Sequence, residues 1–216
     1  MDTTCKRLMR ALAILLSLAI IALSVVVWTP AARATTLDTH FLVAAAGCTT
    51  TAIATDTDCW SHTAGGTGGV GVPGSENEMS TQSSGSGTFL MDAALTGDDL
   101  TLSAIGWSGT FDANDFVLTT NNGPLTVTAG TFLAGSATHI IGGSLAISGG
   151  TMNAESATFQ LTSSLDFSNC VSCTFTAGTS TITFVGDAAH TFTPFATGPI
   201  LNSMTVDAGD TLTAQE

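Results

Sequence analysis

Only four basic side chains occur in the 216 residues, and all four lie at the start: Lys6, Arg7, Arg10 and Arg33. Asp2 is the one acid among them, so the chain beyond residue 34 keeps 17 − 1 = 16 acids and no Lys or Arg. Without permanent cations it has nothing to neutralise phosphates, which predicts no nucleic-acid partner. Attraction to an anionic membrane surface is disfavoured for the same reason. Salt bridges to Lys or Arg are also missing there, so stability falls to apolar packing, backbone hydrogen bonds and disulfides. Tyrosine is absent, and beyond residue 34 only Trp60 and Trp107 remain of the tryptophans. That segment also lacks any sustained helical period.

Behind the first basic residues runs an apolar stretch over 11–28, interrupted by Ser17 and Ser24. Thr29-Pro30-Ala31-Ala32-Arg33-Ala34 closes it with the small-x-small pattern of a signal-peptidase site. A signal peptide over 1–34 is expected, leaving a mature chain from Thr35. The alternative is an uncleaved anchor, since about eighteen apolar residues just span a bilayer. The positive flank keeps the N-terminus inside in either case. The chain is therefore expected to be secreted or displayed on the cell surface, with no membrane contact after cleavage.

A motif of small residue, Thr, then Phe or Met recurs. It stands at Gly87-Thr88-Phe89, Gly109-Thr110-Phe111, Gly130-Thr131-Phe132, Gly150-Thr151-Met152 and Cys173-Thr174-Phe175, with steps of 22, 21, 20 and 23 residues. Leu125-Thr126-Val127, Leu145-Ala146-Ile147 and Leu165-Asp166-Phe167 repeat at a spacing of 20. Within each unit apolar and polar residues alternate, as in strands buried on one face. Asn122-Gly123, Gly142-Gly143 and Gly149-Gly150 supply turns. A unit this short cannot bury its apolar face alone and must stack on its neighbours. The expected fold is all-β, a parallel β-helix (β-solenoid) of about 20–23 residues per rung over 87–216. A β-sandwich is the competing architecture, but its strands need not carry the same residue at the same place in every turn.

Residues 35–86 show no repeat and are expected to form an N-terminal cap with a Gly/Ser/Thr-rich loop, because a solenoid end exposes unpaired backbone and a raw apolar section. The four cysteines beyond the leader, Cys48, Cys59, Cys170 and Cys173, predict two disulfides in an oxidising compartment. Rungs stack about 4.8 Å apart, and several separate Cys59 from Cys170. Disulfide Cα atoms must lie within about 7 Å, so the expected pairs are Cys48–Cys59 and Cys170–Cys173. The second falls where the repeat carries three extra residues. A redox reading of Cys170-x-x-Cys173 lacks a thioredoxin-like helix to support it.

Two passages carry a family resemblance. Trp60-Ser61 leads through the Gly-rich stretch 65–69 to Val72-Pro73, and Cys173-Thr174-Phe175-Thr176-Ala177-Gly178-Thr179 runs into Ser180-Thr181-Ile182-Thr183-Phe184. The chain resembles secreted bacterial β-strand-repeat surface proteins, the group of filamentous-haemagglutinin and autotransporter-adhesin β-helices. The resemblance implies surface display and assigns no catalytic residue. One departure from the group is the lack of a recognisable anchor, sorting signal or translocator barrel after Asp207. The last ten residues read as a strand breaking off, which predicts a fragment of a longer surface protein.

The carboxylates admit a rival function. Asp98-Asp99, Asp112-x-x-Asp115 and Asp207-x-x-Asp210 are the closest pairs, and glycoside hydrolysis uses two carboxylates about 5–10 Å apart. Against this stand the few aromatics for stacking sugars, the missing Lys and Arg, and the habit of Asp beside Gly or Asn to serve turns. Calcium suits such acids better, yet the Gly-Gly-x-Gly-x-Asp nonapeptide is absent. His40, His62, His139 and His190 show no ligand spacing, and the stretch 65–69 lacks the Lys of a phosphate loop. Ice binding on Thr columns is disfavoured by the uneven steps. The expectation is a non-enzymatic structural or adhesive module with no cofactor and no dedicated metal. Its partner would be a surface glycan or protein, with self-association through solenoid ends. The alternative is a β-helical, glycoside-hydrolase-like enzyme acting on extracellular polysaccharide.

Overall fold

In the computed structural model the described residues are 38–43, 48, 53–64, 66–81, 86–102, 107–170, 172–195 and 201–215. The leader expected over 1–34 lies outside them. Residues Leu37–Glu216 form one compact unit. Alternation of apolar and polar residues over three to five positions produces short strands that bury every second side chain. Turns between them, several with a left-handed residue such as Asp115, Gly130 or Glu155, redirect the chain, so its strands stack rung on rung in three sheets. It makes about six turns, with no α-helix among the described residues.

One nine-stranded sheet runs the length of the stack. It holds β1 (Asp38–Leu42), β3 (Asn77–Thr81), β6 (Asp99–Leu102), β9 (Leu125–Val127), β12 (Leu145–Ile147), β15 (Leu165–Asp166), β18 (Ala189–Thr193) and β20 (Thr211–Ala214), all parallel, with β2 (Trp60–Ser61) antiparallel at its outer edge. The second sheet holds β4 (Thr88–Leu90), β7 (Thr110–Asp112), β10 (Thr131–Leu133), β13 (Thr151–Asn153) and β16 (Thr174–Thr176). The third holds β5 (Leu95–Gly97), β8 (Leu118–Thr120), β11 (Thr138–Ile141), β14 (Thr158–Leu161), β17 (Thr181–Phe184) and β19 (Ser203–Val206).

Register turns the repeat into columns. Phe89, Phe111, Phe132, Met152 and Phe175 are successive partners in the second sheet, and each is buried. Met79, Leu100, Leu125, Leu145 and Leu165 do the same in the first. Full burial of each such side chain contributes about 1.5–3 kcal/mol. The motif glycine has a separate cause. A Cβ on Gly109, Gly130 or Gly150 would sit 2.6 Å from the carbonyl oxygen of Gly87, Gly109 or Gly130 in the rung before. Those carbonyls accept the N–H of Thr110, Thr131 and Thr151 at 2.7–2.9 Å, so the close approach leaves no room for a side chain at these three positions. The fifth copy carries Cys173 there, with Thr174 still donating to the Gly150 carbonyl at 2.9 Å.

The region 35–86 contributes more than a cap. β1 and β3 already pair in parallel within the first sheet, so the ladder starts well before residue 87. The repeat does not announce them because the connections are long and one inward position of β1 is His40. Capping proper falls to the segment around β2, where Ile53, Cys59 and Trp60 are buried and the Trp60 indole donates to the Ile53 carbonyl at 2.8 Å. Antiparallel pairing there covers the outer backbone edge of β1.

Candidate functional site

The outer surface of the second sheet carries a regular row of one residue type. Thr88, Thr110, Thr131, Thr151 and Thr174 stand in one unbroken row. The unequal steps of 20 to 23 residues leave the row intact, because extra residues are taken up between strands, as in the segment that holds Cys170 and Cys173. Uneven spacing therefore does not prevent a regular Thr row. What breaks a two-column Thr-x-Thr surface is the neighbouring row, which reads Leu90, Asp112, Leu133, Asn153 and Thr176. On the third sheet Thr119, Ile140, Gln160, Thr183 and Thr205 form a further row.

Most of the candidate acids serve the turns. Asp112 accepts the Asn114 N–H at 2.8 Å. Asp115 (φ 65°) accepts the Ser136 N–H, and Glu155 (φ 50°) accepts the Gly135 N–H, each at 2.6 Å. Asp112 bonds within its own turn, whereas Asp115 and Glu155 tie one rung's corner to the next. Asp98 accepts from the Asn122 amide at 3.0 Å. Asp207 closes a turn through its carbonyl, which accepts the Asp210 N–H.

Asp99 differs. Its carboxyl accepts the Met79 N–H at 3.3 Å, and its pKa is pushed up to about 6, first by burial, then by the neighbouring Glu78 charge and by Asp98. Both Trp60 and Trp107 are buried, so neither offers a face to a sugar ring.

The four cysteines pair as Cys48–Cys59 and Cys170–Cys173, with Cα atoms 5.3 Å apart in each. Of the histidines, His139 and His190 lie inside the stack. His40 and His62, 22 residues apart in sequence, come together with Asp38 at the capped end. Linear spacing missed this group because an antiparallel pairing, not a helix or a tight turn, brings it together. At the other end Met204 and Val206 occupy core columns below Ile182 and Phe184, yet are 38% and 40% exposed.

Comparison with protein-family profiles, with curated proteins and with solved structures finds no match. Function must be argued from the surface itself.

Proposed function

We propose that this chain is an exported, cell-surface structural or adhesive β-solenoid module. The observation that carries the reading is the unbroken threonine row from Thr88 to Thr174 on one face of the stack. One rung lies about 4.8 Å from the next, so the row presents regularly spaced hydroxyls that suit broad, individually weak contacts with a surface glycan or protein. Further support comes from the leader over 1–34, from four paired cysteines that need an oxidising compartment, and from the resemblance to β-strand-repeat surface proteins. The apolar end at Met204 and Val206 supports self-association by stacking. Fold alone does not decide function, so the test is direct. The full chain expressed with its leader should be recovered outside the cytoplasm with Thr35 as its first residue. It should bind a glycan or cell-surface preparation, and Thr131→Lys with Thr151→Lys should abolish that binding without changing the circular dichroism. Cytoplasmic retention, or binding indifferent to both substitutions, would refute the reading.

A second reading, a β-helical glycoside-hydrolase-like enzyme, rests on Asp99. A carboxyl held near pH 6 beside a second carboxylate suits a general acid. Release of reducing sugar from a polysaccharide, lost in Asp99→Asn, would place this reading first.

A further inference from the structure

Asp38, His40 and His62 each turn a metal-binding atom toward the others, all within 4.8 Å of one another. Two imidazoles and one carboxylate make a donor set for a borderline divalent transition ion, whereas calcium and magnesium prefer oxygen alone. We propose that these three residues bind zinc, with water in the fourth position of a tetrahedral site. The inference stands apart from the adhesive reading and does not depend on it.

Local structure explains why the ligands meet. Antiparallel pairing sets Phe41 opposite Ser61 and Leu42 opposite Trp60, so the strands carry His40 and His62 onto the same end of the ladder. The rings lie 4.9 Å apart, edge to face. The Cys48–Cys59 bridge anchors the chain just ahead of β2, and the Val43 N–H donates to the Cys59 carbonyl at 3.1 Å. His40 is buried with its ring against Trp60. Its Nδ1 lies 3.3 Å from the Asp38 carbonyl oxygen. A proton on Nδ1 there leaves the Nε2 lone pair free, the arrangement by which a second-shell carbonyl orients a metal-binding histidine.

Zinc bonds of about 2.0–2.2 Å require ligand atoms roughly 3.4 Å apart in a tetrahedron. His62 Nε2 and Asp38 Oδ2 are already 3.0 Å apart, and their side chains are 47% and 51% exposed. Small rotations of these two side chains admit the ion while buried His40 stays in place. The open side faces solvent, which supplies the water. As a bare ion pair, two half-exposed groups contribute little to stability. That gives the pairing no large stabilising role of its own. The other Cys/Asp group at this end, Cys48, Asp56 and Cys59, has its sulfurs committed to the disulfide.

The experiment titrates the untagged full chain with zinc chloride alone by calorimetry, and with cobalt(II) by visible absorption. One equivalent of zinc should bind, and cobalt should give the intense bands of a tetrahedral site. His62→Ala and Asp38→Asn remove exposed ligands and should fold as the parent does, which circular dichroism and metal-free melting check. Loss of an outer-shell partner alone weakens metal binding about 10–100-fold, so each of these variants should lose at least about 100-fold in zinc affinity. Absence of a stoichiometric zinc isotherm, or unchanged affinity in the two folded variants, would overturn the proposal.

Discussion

His190 Nε2 lies 3.2 Å from Asp210 Oδ2, and neither side chain reaches solvent. His190 belongs to β18, and Asp210 stands just ahead of β20 in the next rung. His190 Nδ1 is 2.7 Å from the Ser163 carbonyl oxygen, and Asp210 Oδ1 accepts the Ala188 N–H at 2.7 Å. Neither Nε2 nor Oδ2 has a hydrogen-bond partner, so the two atoms meet in close contact without a hydrogen bond. Asp210→Ala strands the Ala188 N–H. A loss of about 1–3 kcal/mol per orphaned group follows. Asp210→Asn keeps the Ala188 bond and should lose less. Urea unfolding checks both, and an unchanged midpoint in Asp210→Ala would mean the pair contributes nothing.

His139 occupies a core column between Leu118 and Phe159. Its Nδ1 accepts the Leu118 N–H at 3.2 Å, and its Nε2 donates to the Ala134 carbonyl at 2.8 Å. Burial holds its pKa below the usual value of 6.5. The folded protein therefore keeps His139 neutral while the unfolded chain takes up a proton below about pH 6.5. Its contribution to stability is complete above that pH and declines as pH falls toward the lowered folded pKa. His139→Phe should lower stability at pH 7 by about 1–3 kcal/mol through the orphaned backbone groups, and should flatten the pH slope between 7 and 5. Melting curves across that range decide it.

Asp99 contributes with the opposite sign. Its folded pKa of about 6 exceeds the model-peptide 3.8, so the folded state binds the proton more readily. Stability from this group is full below about pH 4 and is lost as pH rises through 6. Asp99→Asn can retain the Met79 bond without the charge. It should raise stability at pH 7 on the order of 1 kcal/mol once screening at this half-buried carboxyl is allowed for. The gain should vanish near pH 4. A destabilised variant at pH 7 would mean that the buried charge costs the fold nothing.

Gly150 combines φ of 61° with a Cβ position 2.6 Å from the Gly130 carbonyl oxygen. Backbone, not a flexible side chain, blocks the space. Gly150→Ala should cost more than about 1 kcal/mol, read as a lower denaturation midpoint. Gly71, also at positive φ but with nothing near its Cβ, should lose less on the same change.

Removing the Cys48–Cys59 bridge by paired Ala substitution should cost about 2–4 kcal/mol. Removing Cys170–Cys173 should cost less, since its sequence separation is 3 rather than 11. Thiol titration of the denatured, unreduced chain from Thr35 onward should find no free cysteine, and four thiols would contradict both pairings.

Much of the stack is legible in the sequence. Gly-Thr-Phe repetition predicted the second sheet strand for strand, because side chains alternate with period two and each rung repeats the demand of the last. Leu125, Leu145 and Leu165 predicted a column of the first sheet for the same reason. Less legible were β1 and β3, whose long connections hide the period. Among the acids, the turn preference of Asp beside Gly or Asn anticipated the role of Asp115, next to Asn114, while nothing local marked Asp99 as the buried one.

Composition and pattern by themselves determined an all-β solenoid, the glycine column and a chain without cations beyond Arg33. These are properties of residue type and short-range period, and no distant contact is needed to establish them. Tertiary structure alone decided which residues became neighbours. Parallel stacking seats residues some twenty apart directly above one another, which sets His190 against Asp210 and Glu78 beside Asp99. Antiparallel pairing at the capped end crosses 22 residues to gather Asp38, His40 and His62, because backbone hydrogen bonding, not sequence distance, fixes what meets across a sheet.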